Sequence, residues 1–289
     1  MTRSRHACII DRLSTTVVEI GFDLDDAPDS TRQKTINVGT RHIMGEDQKR
    51  ALRKIGELLK KMKAKKTSLC IHPDRFYPLD TLFARKLDKE EMDAQCRTEA
   101  GYFLRNPDNY SCETIPYCSE KEDSLFSKHL LLLYPRPLLS SIRNGLEPWS
   151  DIDATLLYLK PLVSISAMTE KKLCLLELEA DYAAFSVSSN GKIEYYRYWE
   201  LQEPGEAEYF ALHELKHSRI PEDHDVYVTG VLTENNVMME RLKKASADNL
   251  LPLDPSEIMP EAVKWKKNMK TPAVLKALAT ILETPSDTA

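Results

Sequence analysis

Glycine is scarce in this chain, at 9 of 289 residues, and that scarcity excludes several phosphate-binding designs. Turns that cradle phosphate use glycine for positive φ and for close backbone approach. Neither GxGxxG nor GxxxxGK[ST] occurs, so the dinucleotide-binding and P-loop classes fall away. No GxSxG is present either, which removes the nucleophile elbow of the α/β-hydrolases. The 6 cysteines form no CxxC pair. Cys8, Cys70 and Cys174 stand inside apolar stretches and read as reduced, small core residues. Apolar runs are short: the densest, residues 130–134, has the length of a buried strand and not of a membrane span. The opening MTRSRHACII lacks the long apolar segment of a secretory signal. A net charge of −5 provides no basic field for nucleic acid.

What is present is the pattern of a two-part α/β protein. Hydrophobic residues at 42% and charged residues at 29% suit one large domain or two lobes, each with its own core. Residues 7–24 read as two strands around a turn near Arg12–Ser14, extended by 30–38. Residues 46–66 predict a helix with Leu52, Ile55, Leu59 and Met62 on its inner face. Its basic cluster (Lys60, Lys61, Lys63, Lys65, Lys66) reads either as a site for an anionic surface or, the favoured reading, as a solvated face that complements the helix dipole. Residues 68–74 predict a buried strand and 76–87 an extended stretch. Asp88 with Glu91 forms a capping box for a helix burying Met92, Cys96, Ala100 and Phe103. Residues 110–118 and 129–134 predict strands around a charged turn at 119–123. Pro137 opens a helix that Gly145 follows, and Asp153 caps another reaching about 163. Residues 173–200 are the most informative stretch: two or three strands, with a tight turn at Asn190-Gly191. After them come a helix over 205–219, a strand over 226–230, a helix capped by Thr233 and a short strand over 250–254. Thr271 and Pro272 open a last helix with Val274, Leu275, Leu278 and Ile281 inside. The final six residues are expected to fray.

The order of these elements resembles the actin-like ATPase superfamily, and within it the PilM-like family of type IV pilus assembly platforms. IIDRLSTTVVEI (9–20) is similar to that family's first phosphate turn, with Asp11 and Ser14 kept and the glycine missing. LDKEEMDAQCRTEAGYFL (87–104) and HLLLLYPRPLLSSIRNGLEPWSDIDATLLYL (129–159) resemble its inserted small subdomain. LLELEADYAAFSVSSNGKI (175–193) is similar to the second phosphate turn, with Glu177 in place of an aspartate and Glu179 in place of a glycine. VYVTGVLTENNVMMERL (226–242) resembles the strand, glycine (here Gly230) and helix that pack on adenosine. LPLDP (251–255) and VLKALATIL (274–282) resemble the terminal strand and helix. The resemblance implies a two-lobed, duplicated ribonuclease H-like fold. The first lobe would span 1–86, an inserted α+β subdomain 87–153, and the second lobe 154–289. Little chain separates Glu200 from Gly205, so the helical subdomain that closes over nucleotide is reduced or missing.

Asp11, Ser14, Glu177 and Gly230 are therefore the candidate positions of a degenerate nucleotide site. A carboxylate about 4 Å from a phosphate oxygen costs roughly 4 kcal/mol at an effective dielectric of 20, so Glu179 opposes a triphosphate. Asp11 and Glu177 could hold Mg²⁺ together with phosphate, but bulky side chains in both turns block backbone approach. The expectation is a pseudo-ATPase: not an enzyme, with no cofactor, and with ATP and magnesium as the disfavoured alternative. The resemblance implies a cytoplasmic scaffold that binds a protein partner, the tail of a membrane platform protein, near residues 73–80, 110–118 and 129–134. Neither nucleic acid nor membrane insertion is expected.

One motif competes. His213-Glu214-Leu215-Lys216-His217 is a literal HExxH, which on a helix sets two histidines on one face for zinc, with a glutamate as general base. Asp223 or His224 could supply a third ligand, making a zinc metallohydrolase the second alternative. Against it, Lys216 puts a positive charge beside the cation, and no glycine turn follows. The aromatic run Tyr195, Tyr196, Tyr198 and Trp199 reads either as packing or as a docking surface.

Overall fold

Alternating apolar residues at the start of the chain form a hairpin buried on both faces. β1 (Arg3–Ile10) pairs antiparallel with β2 (Thr15–Phe22), and β2 with β3 (Pro28–Ile36). After α1 (Thr40–Ile43) and the amphipathic α2 (Gln48–Met62), β4 (Lys66–Ile71) returns parallel to β1. β8 (Asp151–Leu157) then pairs parallel with β4, giving a five-stranded sheet of order β3-β2-β1-β4-β8. The computed structural model describes residues 3–22, 28–118, 125–169, 171–203, 205–217, 224–246, 249–258 and 271–284.

The second half repeats the plan. β9 (Leu173–Leu178), β10 (Tyr182–Ser189) and β11 (Lys192–Glu200) are antiparallel, and β12 (Val226–Thr229) and β13 (Leu250–Pro252) follow in parallel. The order β11-β10-β9-β12-β13 matches the first sheet strand for strand. Asn190 and Gly191 both take positive φ in the β10–β11 turn, the geometry that an Asn-Gly hairpin requires. α6 (Gly205–His217) begins within a few residues of the end of β11. α7 (Asn236–Ala245) packs against it.

Between β4 and β8 lies a third sheet, β5-β7-β6, made of β5 (Tyr77–Ala84), β7 (Phe126–Pro135) and β6 (Tyr110–Pro116), with α3 (Lys89–Phe103) on one face. Strand pairing thus puts Tyr77–Ala84 in the inserted sheet, ahead of the expected boundary at 87. The same pairing puts β8 in the first-lobe sheet, and α4 (Pro137–Leu146) lies on α2.

Among the described residues, two helices sit between the five-stranded sheets. α5 (Leu159–Met168) packs on β10 and β11, whereas the terminal α9 (Pro272–Glu283) packs on β1, β2 and β4. The last helix of the chain therefore covers the first lobe. One continuous core joins Ile9, Leu162, Leu175, Tyr196 and Leu278 across both halves. No helix among the described residues is long and apolar enough to cross a membrane.

Several local expectations are corrected. Asp153 does not cap a helix: it lies in β8 and accepts a 2.8 Å bond from Ser68 Oγ, so sheet pairing overrides the capping signal. Gly145 lies within α4 and does not follow it; a Cβ there would stand 2.5 Å from Leu52 Cδ1, so the glycine serves the α2–α4 contact. Asn235, not Thr233, caps α7 through the Met238 amide, while Thr233 Oγ1 folds back on the Gly230 carbonyl at 2.6 Å. Phe103 is 64% exposed, and Leu104 takes the inner position against the α3 core instead. The short α8 (Pro255–Ile258) had no recognised signal. The expected turn at 119–123 and the tail beyond 284 lie outside the described residues.

A core shared by both halves should unfold as one unit. Leu278→Ala is expected to cost about 2–5 kcal/mol. Urea unfolding followed separately by far- and near-ultraviolet circular dichroism should still give one coincident transition.

Candidate functional site

The two hairpin turns that open the lobes meet at the centre of the molecule. In the first, the Asp11 amide donates to the Ser14 carbonyl at 2.9 Å. In the second, the Glu179 amide donates to the Tyr182 carbonyl at the same distance of 2.9 Å. The turns are thus equivalent, with Glu179 matching Asp11 and Glu177 two residues earlier on β9. The first turn is braced from behind, where the amides of Thr40 and Arg41 donate to the carbonyls of Asp11 and Arg12 at 3.0 and 3.1 Å.

Gly230 ends β12 beside the second turn. Its φ is +108°, and a Cβ there would lie 2.2 Å from the Leu178 carbonyl oxygen, so only glycine lets the strands converge. The following amide, of Val231, donates to Glu179 Oε2 at 3.4 Å. Of the four expected positions, Asp11, Glu177 and Gly230 converge on this centre, and Ser14 supplies its backbone carbonyl to the turn.

What occupies the centre is a residue the sequence reading passed over. Lys276 projects from α9 and places its Nζ 3.1 Å from Asp11 Oδ1 and 3.8 Å from Glu177 Oε1. Lys276 and Glu177 are both buried. Burial works against the ammonium, but the carboxylates of Asp11 and Glu177 outweigh it and hold Lys276 above the ordinary lysine range. Burial raises the Glu177 carboxyl, against the pull of Lys276. Burial likewise pushes Glu179 up to about 7, with Lys276 opposing.

A second cation ties the turns directly. Arg12 is buried, and its Nε lies 3.1 Å from Asp181 Oδ2 in the opposite turn. Its Nη1 donates to Tyr198 Oη at 2.6 Å and stands 3.8 Å from Glu200, while Nη2 is 3.9 Å from Asp74. Arg41 spans the same carboxylates, at 3.2 Å from Asp74 and 2.9 Å from Asp181. Aromatic rings fill the adjoining space. His72 stacks on Tyr158 at 3.8 Å between centroids and meets Tyr182 edge-on at 4.6 Å. The Tyr158 and Tyr196 hydroxyls lie 2.7 Å apart. Neither ring nitrogen of His72 has a hydrogen-bond partner among the described residues, and burial holds the ring neutral, well below its usual pKa.

The centre offers magnesium no free carboxylate pair: a metal on Asp11 and Glu177 would have to displace the ammonium already there. The turns hold each other through the Arg12–Asp181 pair.

The competing motif lies elsewhere. His213 and His217 are exposed on α6 with ring centroids 4.7 Å apart. Glu214 turns inward and is buried, accepting from the Tyr195 hydroxyl at 2.6 Å and lying 3.1 Å from His213 Nδ1. Among the described residues no three His, Cys, Asp or Glu side chains are placed to hold a metal. Asp223 lies outside the described residues, and His224 stands just before β12.

On the far side of Arg41, a cavity of about 350 Å³ opens between the first lobe and the root of the inserted sheet, lined by Arg41, Met44, Asp74, Arg75, Pro135 and Leu138.

No protein-family model matches the chain, and no curated protein matches it. Solved structures do. A chain of a PilM-PilN type IV pilus biogenesis complex superposes with a TM-score of 0.71 at 13% identity, covering 97% of this chain and 98% of that one. A Bacteroides thetaiotaomicron protein with actin-like ATPase fold and unknown function superposes with a TM-score of 0.55 at 12% identity, covering 90% and 93%. The fold is that of the actin-like ATPases.

Removing the central ammonium should leave two carboxylates facing each other. Lys276→Met is expected to destabilise the fold by about 3–5 kcal/mol at pH 7, with partial recovery when Glu177→Gln is added; chemical denaturation measures both. Glu179 gives a pH signature. Between about pH 4.5 and 7 the folded chain keeps a proton there that the unfolded chain has lost, so stability falls as pH rises through that window. Glu179→Gln should therefore raise Tm at pH 8 and flatten its decline between pH 5 and 8.

Proposed function

We propose that this chain is a cytoplasmic, non-catalytic actin-like scaffold that binds a protein partner: the cytoplasmic tail of a membrane protein of a pilus or secretion platform. The observation that carries this reading is the filled centre. Lys276 stands on the carboxylates that a cation would use, and Arg12 pairs with Asp181 across the two turns, which supports a role carried by the surfaces of the fold. The likeness over nearly the whole chain to a protein solved in a PilM-PilN complex supports a partner-binding role.

The cavity beside Arg41 and Arg75 is the docking place for the tail. It adjoins residues 73–80, joins the first lobe to the inserted subdomain, and offers the half-exposed Met44 beside two guanidinium groups and one carboxylate. That lining suits a short segment with an apolar anchor and an acidic neighbour.

Calorimetry with synthetic cytoplasmic tails of the platform proteins encoded beside this chain tests the reading. One tail should bind, and the Met44→Asp, Arg75→Glu double variant should weaken it by about tenfold or more with Tm unchanged. Failure of every tail to bind would overturn the proposal. Millimolar or tighter Mg-ATP binding lost in Asp11→Ala would favour the nucleotide-binding alternative. Stoichiometric zinc lost in His213→Ala and His217→Ala would favour the hydrolase.

A further inference from the structure

The aromatic run at the end of β11 divides between two sites. Tyr196 and Tyr198 face the inter-lobe centre, whereas Tyr195 packs toward the α6 core. By strand alternation Arg197 and Trp199 share the Tyr195 face. There, between β11 and α6, lies a pocket of about 430 Å³, lined by Arg197, Trp199, Glu206, Tyr209, Phe210, His213 and Glu214, with the edge of Tyr198. We propose that this pocket binds an organic ammonium group.

Its chemistry supports that ligand over a neutral one. The walls are aromatic: Phe210 is buried, but Trp199 is 56% and Tyr209 73% exposed, so two large rings stand in water around a cavity. Tyr209 and His213 lie side by side with centroids 6.3 Å apart. The negative faces of such rings attract a cation, most strongly where water is excluded. Two carboxylates add to the field. Glu214 forms the floor, fixed by the Tyr195 hydroxyl and His213. Glu206 lies at the start of α6, its Oε2 accepting from the Gln202 amide at 2.7 Å.

Against these stands one cation of the lining, Arg197, whose guanidinium already lies over the Tyr195 ring, 5.2 Å from its centroid. Two carboxylates against one guanidinium leave the lining net negative. The volume is in the range of small-ligand sites. An alkylated ammonium or a lysine side chain enters it without a metal, and Tyr198 alone is shared with the inter-lobe centre. The same geometry gives the HExxH segment a role: His213 is a wall and Glu214 a fixed charge.

Calorimetric titration of the whole chain tests this with three probes: choline, its neutral isostere 3,3-dimethyl-1-butanol, and Nα-acetyl-lysine methylamide. At least one cation should bind saturably, and the neutral isostere should bind about tenfold more weakly than choline or not at all. Saturation by choline points to a free quaternary ammonium or a lipid headgroup; saturation by the lysine derivative alone points to a basic side chain of a polypeptide. Tyr209→Ala and Glu206→Gln should each weaken binding about threefold to tenfold with an unchanged Tm. Equal binding of choline and its isostere would reduce the pocket to an apolar hole and overturn the proposal. So would the absence of saturation by either cation, or variants that bind like the parent chain.

Discussion

Two carboxylates, buried Glu177 and half-buried Asp11, face one centre, and a buried charge must find a counter-charge. Here the counter-charge is covalently tethered: the Lys276 ammonium enters from α9 and bonds Asp11. Much of the architecture bears on that contact. α9 must lie on the first-lobe sheet for Lys276 to reach Asp11, and it must run beside the second lobe for Glu177 to come within range. The last helix of the chain therefore joins halves that each begin with an independent hairpin.

The Arg12 network extends the same logic from one ion to the interface. Asp181 forms ion pairs with two guanidinium groups, of Arg12 and Arg41, and the His72–Tyr158–Tyr182 cluster fills the space beside them. Removing either partner of such a pair would leave an uncompensated buried charge.

Much of the fold was legible because its signals were local and redundant. The strand pairs at the head of each half, the Asn190-Gly191 turn, the Asp88 capping box and the Thr271-Pro272 helix start all came from residues whose neighbours agreed with them. Asp153 and Gly145 misled because a distant partner decided their roles, β4 for one and Leu52 for the other. The site was half legible. The resemblance marked Asp11, Glu177 and Glu179, but not Lys276, although it is the only charge in the run VLKALATIL. A single lysine in an otherwise apolar helix is a signal in itself, since nothing else in the run would account for a buried charge. Arg12 reads from the sequence only as a turn residue and Asp181 carries no signal of its own, because no spacing in the chain reveals that two turns so far apart will touch.

The most direct measurement is a crystal structure grown with magnesium and a non-hydrolysable ATP analogue at millimolar concentration. The expected result is a centre free of nucleotide, with Lys276 Nζ still on Asp11 and Arg12 still on Asp181. Ordered nucleotide between the turns, with the lysine swung aside and the arginine pair broken, would contradict the account.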